Sequence, residues 1–238
     1  MIIGYIHICQ KKGWEKSFDM LFNCIKNSSL YESTTKIRLG VLSDNDKFID
    51  NDRFNDPKFE IIYKGNSSEY ERPTLLHMRN KSESDDISTC YYYLHTKGIS
   101  HFGNSNEQNI IDWINLMLYW NIEKWEKAIL VLNRFNTYGC NYINHSNHYS
   151  GNFWWAKNSH IRTLPKYIPS HYIAPEEWVT INKNKIFCIF KSGYEGMGHY
   201  TNPYPRCNYD SIQCPLITRY INKKAQCINN KKLKFKIW

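Results

Sequence analysis

An α/β fold, with a mostly parallel sheet flanked by helices, is predicted by three observations. Short apolar strands alternate with segments of helical periodicity, no linker divides the chain, and its 238 residues are 42% hydrophobic, enough for one sizeable core. The spacing predicts a first strand over 2–8 (IIGYIHI). A helix follows, on which Trp14, Phe18, Leu21, Phe22 and Ile25 share a face. Residues 36–43 (KIRLGVLS) and 58–64 (KFEIIYK) read as the second and third strands. SEYERPTLLHMRNKS reads as a helix with Pro73 in its first turn, where a missing N–H is tolerated. The fourth strand is TCYYYLH, residues 89–95. A long helical region over 107–135 carries Ile110, Ile114, Met117, Trp120, Trp125, Ile129 and Leu132, and residues 137–143 read as another strand. HYSGNFWWAKNSHIRTLP reads as loop, strand and a short helix ended by Pro165, and PEEWVTI and KIFCIFKSG close the regular part. Residues 1–193 are expected to form the core, and 194–238, rich in Asn, Tyr, Pro and Lys, an extension wrapping over it.

Net charge is +9, from 31 Lys+Arg against 22 Asp+Glu, a field that favours anionic partners. Part of it is loaded into the terminal runs NKK and NNKKLKFKIW, which read as solvated, and the lysines do not interleave with aromatics in one region. Nucleic-acid binding is therefore disfavoured. The eight cysteines form no CxxC pair, so zinc-ribbon spacing is missing. MIIGYIHIC lacks the basic start and small-residue site of a secretory signal, and no apolar run approaches the roughly 20 residues of a membrane span. A cytoplasmic protein without a membrane span is expected, with its oligomeric state open.

Candidate chemistry lies in three segments. In open parallel sheets ligands bind beyond the carboxyl ends of the strands, and HTKGISH is such an end. There Lys97 can neutralise a phosphate, Gly98 can admit close backbone approach, and His95 and Thr96 can donate hydrogen bonds. The same residues also suit an ordinary capped loop facing water. SGNFWWA offers Gly151, the Asn152 amide and an aromatic wall of Phe153, Trp154 and Trp155, suited to the C–H faces and hydroxyls of a sugar. Alternate strand residues packed into a core would read the same way. APEEWV sets Glu176 and Glu177 beside Trp178, an arrangement for a general base or for a plain helix start. Asp44 and Asp46 in SDND have a DxD shape that can hold Mg²⁺ or Mn²⁺, but such residues also make turns. SDD, residues 84–86, precedes a strand, on the wrong side of the sheet, and His145 with His148 is a weak HxxH in an Asn-rich loop. No GxGxxG, Walker A, GxSxG or HExxH sequence is present.

Taken in order, GWEKSFDMLFNCIKNSSLYESTTKIRLGVL, EYERPTL, YLHTKG, DW (Asp112 and Trp113), SGNFWWA and PEEWV resemble the small GT-A-type glycosyltransferases of bacterial polysaccharide loci and giant DNA viruses. The resemblance covers roughly residues 2–180. It implies a Rossmann-related, GT-A-like single domain and a transferase of the hexosyl class. Such an enzyme moves a sugar from a nucleoside-diphosphate donor, a UDP-sugar being favoured, to a glycan hydroxyl, in the host cytoplasm if the protein is viral.

By the same resemblance, His7, Ile8, Trp14 and Asp44 lie near the nucleotide. His95, Thr96, Lys97 and Gly98 hold the diphosphate, in the place where most GT-A enzymes carry a metal-binding DxD. That departure implies that no metal is required, although Mn²⁺ or Mg²⁺ at Asp44 and Asp46 stays open. Asp112, Trp113, Gly151, Asn152, Trp154 and Trp155 would meet the acceptor or the sugar. Glu176 is nominated as the base, Glu177 as its substitute, and a base on the acceptor face implies inversion. A non-catalytic glycan-binding module of the same ancestry, or a basic nucleic-acid-binding protein, are the alternatives.

Overall fold

A computed structural model describes residues 1–44 and 48–211. Met1–Pro205 forms one compact unit. Arg206–Trp238 forms a second, whose described part holds a single 3₁₀ turn at Arg206–Asn208.

The expected alternation is present. Strand β1 (Ile2–Cys9) leads into α1 (Trp14–Asn27), a short α2 (Leu30–Ser33), β2 (Lys36–Ser43) and β3 (Phe59–Asn66). Then come α3 (Arg72–Lys81), β4 (Cys90–His95), α4 (Glu107–Leu118) and α5 (Trp125–Leu132). Beyond these lie β5 (Thr137–Gly139), β6 (Tyr142–Ile143), β7 (His148–Tyr149), β8 (Trp154–Lys157), α6 (Asn158–Ile161), α7 (Ala174–Trp178), β9 (Ile186–Cys188) and α8 (Gly198–Thr201). The helical region read over 107–135 is present in three pieces: α4 passes through a π-helical turn at Tyr119–Glu123 before α5 starts. The strand read over 137–143 also divides. Its first part joins the main sheet as β5, while β6 pairs with β7 in a separate two-stranded sheet.

The main sheet has seven strands in the order β3-β2-β1-β4-β8-β5-β9. β3, β2, β1 and β4 run parallel, β8 is antiparallel to both β4 and β5, and β9 runs parallel to β5. The mostly parallel α/β architecture expected from the sequence is thus the observed one. Its central strands are buried on both faces, as βαβ winding requires. Tyr91 and Tyr93 point to the face covered by Leu75 and Met78 of α3, together with Tyr5 and Trp154. Tyr92 points to the other face and packs on Trp155, ring centroids 5.1 Å apart. Among the described residues no helix is long and apolar enough to cross a membrane.

Strand order reverses at β1. β2 and β3 lie on one side of it and β4 on the other, so the carboxyl ends of β1 and β4 open a crevice at the reversal point. His7 and His95 sit side by side in register at that edge.

Candidate functional site

The crevice beyond β1 and β4 has a volume of about 260 Å³, and Glu71, His95, Lys97 and Glu176 all line it. A roomier groove of about 490 Å³ near Met20, Cys24 and Asn115 lies away from these strand ends.

The HTKG loop is held by continued pairing past the end of the sheet. The Thr96 amide donates to the His7 carbonyl (2.9 Å), and the Thr96 hydroxyl accepts from the Cys9 amide (3.0 Å). Gly98 is left-handed, φ +69°, and a Cβ there would lie 2.2 Å from Ile110 Cγ2. Tight packing of the loop on α4 therefore gives the glycine a structural reason of its own, beside its place on the crevice wall. Lys97 is only 8% exposed. Its Nζ rests 4.2 Å above the centre of the Trp113 ring, whose other contacts include a stacked His199 at 5.1 Å. Among the described residues no carboxylate stands within ion-pair distance of this ammonium.

Two carboxylates enter the same crevice from opposite elements. Glu71, the residue before α3, accepts from the Tyr93 hydroxyl and from Asn152 Nδ2, both at 2.6 Å, and its Oε1 stands 4.0 Å from His95 Nδ1. Glu176, in the first turn of α7, faces His148 Nε2 at 3.6 Å. Burial holds His7 and His95 neutral, each lowered to about 4, with the nearby Lys97 ammonium acting in the same direction on His95. Burial, reinforced by the Glu71 charge, raises the Tyr93 hydroxyl well above its ordinary range, so it remains a donor.

Of the residues expected at the site, His7, His95, Thr96, Lys97, Gly98 and Glu176 line the crevice together. Others do not. Ile8 is fully buried, and Trp14 is buried against Phe54, centroids 5.6 Å apart, so neither presents surface to a nucleotide. Asp44 stands one layer back, bonded to Ser67 and 3.5 Å from Lys11, both of which line the crevice. Asp46 lies outside the described residues. Among those that are described, no group of three or more His, Cys, Asp or Glu side chains is arranged to hold a metal ion. Glu177 turns away towards His171 Nε2, 3.6 Å distant.

The expected acceptor wall needs the largest correction. Trp154 and Trp155 are fully buried, on opposite faces of β8, with their indole N–H groups donating to Asn152 Oδ1 and the Asn121 carbonyl (2.8 Å each). Both faces of the sheet are covered, so alternation along the strand sends both rings into core. Trp113 is buried beneath Lys97. Asp112 accepts from Gln108 Nε2 (2.8 Å) and the Tyr204 amide (3.1 Å), a structural clamp. Gly151, at φ +87°, packs against Met117, where a Cβ would lie 2.3 Å from the sulfur, and its carbonyl accepts from His95. Asn152 is fully buried at φ +56° and bridges Glu71 to Trp154. It positions a carboxylate and does not itself reach the cavity.

The exposed aromatics of the crevice are instead Tyr70 and Tyr172, 44% and 73% exposed, perpendicular with centroids 5.5 Å apart. Sequence reasoning missed these, along with Glu71 and His148. Glu71 lay within the EYERPTL segment, but only as a helix entry, and His148 stood out only as half of a weak metal pair.

Fold and crevice define an α/β protein with a strand-end site that gathers a cation with no carboxylate partner among the described residues, two carboxylates and two neutral imidazoles. No family model matches the chain, and searches of curated proteins and of solved structures likewise give no match.

Proposed function

We propose that the protein is a glycosyltransferase that moves a sugar from a nucleoside-diphosphate sugar, a UDP-sugar by preference, to a hydroxyl of a glycan. One observation carries the reading: a buried ammonium with no described carboxylate partner and the Glu176 carboxylate line the same strand-end crevice. The resemblance of YLHTKG, SGNFWWA and PEEWV to small GT-A-type enzymes supports it, as does a mostly parallel sheet whose order reverses at the crevice.

In this reading Glu176 removes the proton of the acceptor hydroxyl as its oxygen attacks the anomeric carbon. The bond from that carbon to the diphosphate oxygen breaks, with inversion. The electron pair leaves on the diphosphate, whose growing negative charge Lys97 stabilises. A preorganised cation at a developing anion is commonly a large contribution to catalysis. The Trp113 face holds Lys97 beside the crevice without neutralising it, so the full charge remains for the leaving group. No metal is required in this scheme. In this reading the place of action is a reducing cytoplasm.

A thermal-shift screen against UDP-, GDP- and dTDP-sugars tests donor binding, since a ligand raises apparent stability by mass action. On the donor that binds, Lys97→Ala is expected to lower turnover by about 100-fold while leaving the unfolding midpoint nearly unchanged. Glu176→Gln should abolish transfer yet keep the thermal shift. Unchanged turnover in the lysine variant removes the leaving-group role. A shift without turnover in the wild-type protein favours a glycan-binding module.

A further inference from the structure

Within the crevice two hydrogen-bond acceptors face each other, and among the described residues no donor stands between them. Glu71 Oε2 is already used by the Tyr93 hydroxyl and the Asn152 amide. The other oxygen, Oε1, stands 4.0 Å from His95 Nδ1. The proton of His95 is located by its second nitrogen: Nε2 lies 2.9 Å from the Gly151 carbonyl oxygen, which can only accept, so Nε2 carries the hydrogen. Burial and the nearby Lys97 charge both favour the neutral ring, and with its hydrogen on Nε2 the Nδ1 atom offers a lone pair. A lone pair and a carboxylate oxygen 4.0 Å apart cannot bond to each other, yet both are fixed and both belong to residues that line the cavity.

The chemistry of the missing donor follows from counting hydrogens. Two acceptors call for two hydrogens, and a single hydroxyl carries one. Two neighbouring hydroxyls on a sugar ring carry two, with their oxygens about as far apart as two hydrogen-bonded atoms. An ammonium group also has enough hydrogens, but it would meet the like charge of Lys97, which lies close enough to disfavour protonation of His95. A divalent ion would find no group of three donors here among the described residues.

We infer that Glu71 and His95 form a diol-binding subsite, taking two adjacent ring hydroxyls and thereby setting which sugars the crevice accepts. Each hydroxyl donates once, one to Glu71 Oε1 and one to His95 Nδ1. A ligand lacking either hydroxyl leaves a desolvated acceptor unpaired, which is how a polar site rejects a deoxy analogue. Tyr93 and Asn152 keep the second carboxylate oxygen occupied, so Glu71 has one orientation available. The identity of the ring rests on the glycosyltransferase reading, in which it is the ribose or the hexose of the donor. The demand for a diol does not.

The test is a binding-ratio measurement on the full chain by calorimetry. The probes are UDP-glucose, its 2′-deoxyribose analogue and its 2-, 3- and 4-deoxyhexose analogues, with methyl glucoside and the matching deoxy-glucosides as a nucleotide-free series. Wild-type protein is expected to bind at least one deoxy analogue about 10- to 100-fold more weakly than its parent. Which analogue suffers tells ribose from hexose. Glu71→Gln, whose amide can itself donate to Nδ1, is expected to bind that parent and that analogue equally. Reading the ratio, and not the affinity, keeps a general loss of folding from imitating the result.

If only the glucosides bind and the ratio collapses in Glu71→Gln, the donor reading falls and the diol subsite stands. Equal binding of every deoxy ligand by the wild-type protein overturns the subsite, as does a ratio that survives Glu71→Gln. Two further results would also overturn it: silence to both series, or Mn²⁺ binding that Glu71→Gln alone removes.

Discussion

At Gly98 backbone conformation and packing make the same demand. The residue is left-handed, and the Ile110 methyl occupies the space a side chain would need, so both the strain and the clash fall on any replacement. Gly98→Ala should cost about 1–3 kcal/mol in a urea titration, and a midpoint unchanged from wild type would show that the loop yields freely. The loop it anchors carries Lys97, so the variant should also weaken any nucleotide-dependent thermal shift. Glu71 illustrates the opposite case, a residue whose importance lies entirely in its partners. Tyr93 lies 22 residues away from it in sequence and Asn152 lies 81. Neither partner was visible from EYERPTL, whose local pattern announced only a helix entry.

Among the elements, α4 does more than cover the sheet. Its Asn109 donates to the Tyr200 carbonyl (3.1 Å), and Asp112 accepts the Tyr204 amide, so one face of the helix fastens the segment through α8. This assigns Asp112 a structural duty in place of the expected contact with an acceptor. Asp112→Ala should expose the chain around Tyr204 to limited proteolysis and lower stability by about 1–3 kcal/mol, the cost of an unmade charged hydrogen bond. Resistance equal to wild type would remove the clamp. The long periodic run over 107–135 reads as a helical region because its apolar spacing persists. The π turn at Tyr119–Glu123 shifts the face without breaking that spacing, and periodicity alone does not register such a change.

For the whole molecule, buried imidazoles set the response to acid. His7, His95 and His199 are each lowered to about 4 by burial, whereas in the unfolded chain a histidine titrates near 6.5. Between those values the unfolded state binds more protons, so this stability is complete above about pH 6.5 and is lost as pH falls towards 4. Each such group contributes a slope of up to ~1.4 kcal/mol per pH unit in that window. Asp85, held below its ordinary value by hydrogen bonds from Arg38 and Tyr91 despite burial, adds a loss at still lower pH. Urea midpoints measured from pH 7.5 to 4.5 should fall steeply below 6.5. A flat profile would mean that these rings can be protonated without unfolding.

The sequence by itself determined the class of fold and the loop on which chemistry could sit. Strand and helix periodicities are written over a few consecutive residues, and HTKG follows directly on an apolar strand. Only the tertiary structure decided which side chains meet there. It sent Trp154 and Trp155 into core, because both faces of the sheet are covered, and brought Glu71, His95 and Glu176 to one crevice. That convergence depends on strand order and on contacts between residues far apart in the chain, and no local pattern encodes either.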